Sequence, residues 1–84
     1  MHYTYRTRGT CSQQIDFDMD ENEVVTGIRF TGGCNGNLKG IASLAEGMKA
    51  SDIIDKTQGI LCGFKPTSCP DQLSLALKEA LGRE

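Results

Sequence analysis

The residues from Gln13 to Thr31 alternate about a polar turn, and that alternation limits what the chain can fold into more than any other feature. Ile15, Phe17 and Met19 recur at every second position, with Gln14, Asp16 and Asp18 between or beside them. Asp20-Glu21-Asn22-Glu23 is a run of turn-forming polar residues. Thr26, Ile28 and Phe30 then resume the period of two on a third strand. That period belongs to a strand with one buried face, so Gln13–Met19 and Val24–Thr31 are predicted to pair as a hairpin. Centring the turn between Asn22 and Glu23 sets Phe17 opposite Ile28 and Ile15 opposite Phe30, which are apolar cross-strand pairs on one face. A slip of one residue would set Phe17 against Arg29 or Gly27. The symmetric register also sets Cys11 across from Cys34 at the open end of the hairpin.

The flanking sequence extends this pattern into a fold class. Tyr3, Tyr5 and Thr7 share one face of a candidate first strand, with Arg6 and Arg8 on the other. After Phe30 the run Thr31-Gly32-Gly33-Cys34-Asn35-Gly36-Asn37 is too rich in Gly and Asn for regular structure. Leu38, Ile41, Ala42, Ala45 and Met48 follow at helical spacing, with Gly40 and Gly47 either weakening the helix or letting it pack closely. Ser51 is the expected N-cap of a short second helix carrying Ile53 and Ile54, and Gly59 its stop. Residues 60–66 read as a loop. Leu73, Ala76, Leu77, Ala80 and Leu81 then form one apolar stripe on a last helix. The expectation is an α+β fold, a three-stranded antiparallel meander followed by about three helices packed on one face, as one domain over residues 1–84.

Bulk properties narrow the function. Net charge is −2 with acidic and basic residues well mixed, whereas nucleic-acid binding usually needs a basic face. No apolar stretch is long enough to span a membrane, and Met1-His2-Tyr3-Thr4-Tyr5 lacks the apolar core of a signal peptide. The expected setting is the cytoplasm, with reduced thiols. A domain of 84 residues buries little apolar surface, so a metal or a partner chain would add stability. No glycine-rich loop carries the Lys and Ser/Thr of a phosphate cradle. No Ser/His/Asp or Cys/His set is available beyond His2, a terminal histidine that reads as solvated. Asp16, Asp18, Asp20, Glu21 and Glu23 read as a solvated strand face and turn. A self-contained enzyme has no support in these residues.

The four cysteines, Cys11, Cys34, Cys62 and Cys69, are what remains. Ser68 with Asp71 fits a capping-box-like helix start, and Pro70 belongs in a first turn. Cys69 is therefore expected at a helix N-terminus, where the dipole and open N–H groups favour the thiolate that binds metal or attacks disulfides. Cys34 precedes another helix across a glycine loop. Cys62 follows the short second helix and is less constrained. Cys11, Cys34 and Cys69 have reason to converge, with Cys62 as a fourth candidate ligand. Four thiolates suit tetrahedral zinc or an iron–sulfur cluster about equally, and the C-x-x-C knuckle of many structural zinc sites is absent. A thiol-redox pair, Cys62 with Cys69, is the alternative.

Thr67-Ser68-Cys69-Pro70-Asp71 resembles the motif that names the TSCPD domain, with Gly33-Cys34-Asn35-Gly36 and Cys62-Gly63 in support. That domain occurs at the C-terminal end of adenosylcobalamin-dependent ribonucleotide reductases and as small free-standing proteins, and this chain looks like one of the latter. The resemblance implies metal binding by the cysteines. It also implies an accessory role beside a ribonucleotide reductase or another redox enzyme, since the reductase reaction itself needs a large radical-bearing barrel. More distantly the chain is similar to the U-type iron–sulfur cluster scaffold proteins. Their three cysteines match Cys11, Cys34 and Cys69. Their Asp after the first cysteine has no match at Ser12 and Gln13, their His before the last is replaced by Ser68, and Cys62 has no counterpart. A fourth thiolate favours a closed, permanent site over a transferable cluster.

Overall fold

A computed structural model describes residues 1–7, 12–32, 35–60 and 67–82. The described residues form β1 (His2–Arg6), β2 (Ser12–Met19), β3 (Val25–Gly32), α1 (Asn35–Ala45), α2 (Ala50–Thr57) and α3 (Cys69–Leu81). The strands make one antiparallel sheet in the order β1-β2-β3, and all three helices contribute to a core on one side of it. The α+β meander expected from the sequence is the fold observed.

The alternation on β2 holds throughout. Ile15 and Phe17 are fully buried and Met19 nearly so, while Asp18 is exposed and Gln14 and Asp16 are half-buried. Tyr3 pairs with Phe17 across the β1–β2 ladder, and their rings stack with centroids 5.4 Å apart. From the helical side Ile53, Leu73 and Leu77 complete the core, with both leucines fully buried. Full burial of one such side chain contributes about 1.5–3 kcal/mol.

Two irregularities correct the symmetric register. Ile15 faces Phe30 as expected, and Asp16 faces Arg29. Toward the turn, however, Asp18 faces Thr26 and Met19 faces Val25, so Gly27 and Ile28 together oppose Phe17. The expected Phe17–Ile28 pair is thus replaced by a bulge. Gly27 adopts φ +64°, and its extra residue reverses the parity of β3. Val25 is fully buried and Thr26 is exposed, the opposite of the period-two reading. At the open end a second shift, on β2 around Gln13, sets Ser12 opposite Gly32 rather than Gly33. Cys11 and Cys34 lie just beyond, outside the described residues, as does the Arg8 of the β1 reading.

Asp20 organises the turn. Its Oδ1 accepts from the amides of Asn22 and Val24, both at 2.9 Å, and its carbonyl accepts from the Glu23 amide. Beyond α1 the chain returns along β3. The Val25 amide donates to the Met48 carbonyl, the Gly47 amide to the Val25 carbonyl, and Val24 forms an isolated bridge with Lys49. This contact corrects the start of α2. The N-cap is Lys49, with no side-chain cap, and not Ser51. The amide of Ala50, in the first helical position, donates instead to the Glu23 carbonyl at 2.9 Å. A tertiary acceptor thus satisfies a donor that a capping side chain would otherwise serve.

Candidate functional site

The first turn of α3 carries the densest polar network among the described residues. Ser68 is the N-cap, in extended conformation, and its Oγ accepts from the Asp71 amide at 3.1 Å. The same hydroxyl donates to the Ile60 carbonyl. Pro70 occupies the first turn, where a missing N–H costs nothing. Asp71 turns both carboxylate oxygens outward from the helix start: Oδ1 accepts from the Gly59 amide at 2.7 Å and Oδ2 from the Thr67 hydroxyl at 2.6 Å. The Thr67 Oγ1 in turn accepts from Gln72 Nε2 at 3.0 Å, and Ser74 Oγ donates to the Asp71 carbonyl at 2.6 Å. Thr67, Ser68, Gln72 and Ser74 are all buried, and no buried side-chain nitrogen or oxygen among the described residues lacks a partner.

Cys69 opens the helix as expected and is 8 % exposed, a buried thiol in a turn held from both sides. The network binds the end of α2 to the start of α3, so Ile60 and Ser68 touch although they are eight positions apart. Cys62 follows Ile60 by two positions in the sequence and lies outside the described residues. An apolar groove of about 360 Å³ adjoins the turn. Pro70 and Ile60 line it on one side, and Ile41, Leu44 and Met48 from the α1 region on the other. The first turn of α3 therefore faces the helix that begins one residue after Cys34.

Cys11, Cys34 and Cys62 lie outside the described residues, so of the four expected ligands Cys69 is the one placed. Among the described residues no group of three or more His, Cys, Asp or Glu side chains is arranged to hold a metal ion. Sequence reasoning recognised the Ser68–Asp71 cap but missed the roles of Thr67, Gln72 and Ser74. The available signal was polarity in the wrong place: Gln72 and Ser74 flank Leu73 inside the buried stripe.

The open face of the sheet holds a second polar cluster. His2 pairs with Asp18 in the ladder, and its ring nitrogens stand 3.3 Å from Asp18 Oδ1 and 3.3 Å from Asp16 Oδ1. Thr4 Oγ1 donates to Asp16 Oδ1 at 2.6 Å and Gln14 Nε2 to Oδ2 at 3.0 Å. These bonds, that from Thr4 foremost and then that from Gln14, hold the Asp16 carboxyl below its ordinary value against a smaller opposing effect of burial. The solvated reading of His2 and Asp16 is thereby refined to a cross-strand network that fastens β1.

No helix among the described residues is long and apolar enough to cross a membrane. Comparison with curated proteins and with solved structures gives no match. A family model, that of the TSCPD domain, matches residues 2–81. The match takes in the whole sheet, the three helices and the Thr67–Asp71 turn whose hydrogen bonds are described above, and the chain belongs to the TSCPD-domain family.

Proposed function

We propose that this protein is a thiolate metal-binding module that serves as an accessory to a redox enzyme, with a ribonucleotide reductase as the first candidate partner. Cys11, Cys34, Cys62 and Cys69 are the proposed ligands, and zinc or an iron–sulfur cluster the group they would hold. The observation that carries this reading is the fixed first turn of α3. It holds Cys69 in place, and its hydrogen bond to Ile60 reaches a residue two positions before Cys62 in the sequence. The donor chemistry fits. An all-sulfur set suits tetrahedral zinc or iron, and a ligand turn held rigid by its neighbours is what a permanent site requires. The Ser12–Gly32 pair lies one residue from Cys11 and two from Cys34 in the sequence, and Pro70 lines the same groove as Ile41 and Leu44 of α1. Both observations favour a common site. Bound metal would supply cross-linking stability to a small core, and an iron centre would add one-electron chemistry.

Anaerobic purification followed by metal analysis and a visible absorption spectrum tests the proposal. About one zinc per chain without visible absorption supports a structural thiolate site, and iron with visible absorption supports a cluster. Metal-free protein that stays folded with four freely alkylated thiols refutes both. A reversible Cys62–Cys69 disulfide under mild oxidation, in protein that takes up no metal, would put the thiol-redox reading in its place. Release of a reconstituted cluster to an apo-ferredoxin would identify a scaffold.

A further inference from the structure

The two edges of the sheet are finished differently. On the β3 side the chain returns from α1, and Val25 bonds through its amide and carbonyl to Met48 and Gly47. The β1 side has no such cover among the described residues. Met1 and Met19 exchange hydrogen bonds, and the Thr7 amide donates to the Gln13 carbonyl. The ladder between them therefore turns the amides of Tyr3 and Tyr5 toward β2 and those of His2, Thr4 and Arg6 outward. β1 also runs without a register shift, a proline or a lysine, devices that blunt an open edge. We infer that this edge is an interface between two copies of the chain, which join their β1 strands antiparallel about Thr4 into one continuous sheet.

In that register the strand is its own complement. Thr4 faces Thr4 of the second copy and His2 faces its Arg6, and the outward amides let each pair exchange two backbone hydrogen bonds. Between them Tyr3 faces Tyr5 of the second copy at the closer, non-hydrogen-bonded spacing, an aromatic cross-strand pair. Both tyrosines are half-buried on the core face of their own sheet. Beside them a groove of about 240 Å³ between β1 and α3 is lined by Tyr3, Tyr5, Phe17, Ala76 and Ala80. The two alanines, small residues of α3, leave this space for the tyrosines of the second copy. On the open face the charges match. Asp16 and Asp18 each set a carboxylate oxygen 3.3 Å from a His2 ring nitrogen, and Arg6 of the second copy enters beside that ring. The edge thus receives a cation where two carboxylates already stand, and two-fold symmetry repeats the contact.

The test uses the full chain, kept reduced so that no disulfide joins two copies. Sedimentation equilibrium is run over a concentration series reaching about 1 mM, where even weak association populates a dimer. Amide hydrogen exchange, read by NMR at the same concentrations, reports the edge. The expected result is a monomer–dimer equilibrium. In it the Thr4 and Arg6 amides exchange at least about tenfold more slowly once dimer exceeds about nine-tenths of the protein. The Tyr3 and Tyr5 amides, which β2 holds at any concentration, are the internal reference. Thr4→Pro removes the central outward amide and no backbone bond to β2, so it should stay folded by circular dichroism and monomeric throughout. Arg6→Glu should weaken the dimer at least about threefold, because symmetry applies the lost contact twice. A wild-type chain still monomeric at about 1 mM would overturn the inference. So would a dimer whose Thr4 and Arg6 amides exchange as fast as in the monomer, since the copies then meet through another surface. A folded Thr4→Pro chain that dimerises as wild type does would overturn it as well. Should Thr4→Pro fail to fold, wild-type dimerisation in Arg6→Glu would do the same.

Discussion

Replacing Ser68 by alanine isolates the strongest structural claim about the family motif. The Ser68 hydroxyl is used twice, as acceptor from the Asp71 amide and as donor to the Ile60 carbonyl, in a residue only 4 % exposed. Losing the N-cap bond costs about 1 kcal/mol. Losing the second bond costs about 1 kcal/mol more. The sum, about 2 kcal/mol, is a large share of what a domain this small has to spare. It corresponds to a melting temperature lower by about 8–16 °C, at about 4–8 °C per kcal/mol for a domain of this size. In urea the midpoint should fall by about 2 M with an unchanged slope, taking a slope of about 1 kcal/mol/M for a small chain. The measurement is made on metal-free protein, so that ligand binding does not contribute. Ser68→Gly separates the two bonds. Glycine costs an N-cap only a few tenths of a kcal/mol, so its loss of about 1 kcal/mol would report the Ile60 contact. Ser68→Thr, which keeps the hydroxyl, should lose least. A Ser68→Ala protein within about 0.5 kcal/mol of wild type, at equal slope, would refute the account of this turn, because surface substitutions change stability by about that much anyway.

Three further outcomes are expected. Gly27→Ala should destabilise by about 1–2 kcal/mol in chemical denaturation, since a left-handed backbone costs other residues about that much; the new Cβ would also stand 3.1 Å from Asp18 Oδ2. Gly40→Ala should stabilise by about 0.5–1 kcal/mol, because Gly40 lies within α1 and an added Cβ meets nothing within 4 Å, so the gain in helix propensity is unopposed. Asp16 should make stability depend on pH in the acid range. Its folded-state carboxyl titrates below the ordinary value of 3.8, so its contribution is complete above that value and is lost as pH falls through the lowered one. Asp16→Asn should flatten that part of a stability-versus-pH curve, and an unchanged acid limb would count against the Thr4 and Gln14 bonds.

The parts of the fold that sequence reasoning found are those decided by one element's own pattern. The face of β2 and the stripe of α3 follow from apolar spacing, and Ile15, Phe17, Leu73 and Leu77 are all fully buried. The Ser68 start of α3 follows from local capping chemistry. The misses are decided between elements. Thr26 takes the inward parity only if β3 is regular, and a single-residue bulge leaves no mark in hydrophobicity, although Val25 and Ile28 at a spacing of three about a glycine hint at it. Ser51 has the chemistry of a cap, yet α2 starts at Ala50 because the Glu23 carbonyl, 27 positions away, accepts the first helical amide. The same division applies to the site. The Thr67–Gln72 motif was visible as a string, but the tie from Asp71 to Gly59 depends on where α2 ends, and no spacing rule predicts it.

The Gly27 bulge has a plain consequence for how this hairpin tolerates changes in length. Val25 and Met19, and Thr26 and Asp18, are already partners, so excising Gly27 alone would leave the neighbouring residues in phase, with Phe17 facing Ile28 and Val25 still turned inward. The shortened strand would instead lose the Gly27 amide that reaches Glu46, just past the end of α1. What this glycine adds is therefore a joint between sheet and helix, inserted into a ladder that is arithmetically complete without it.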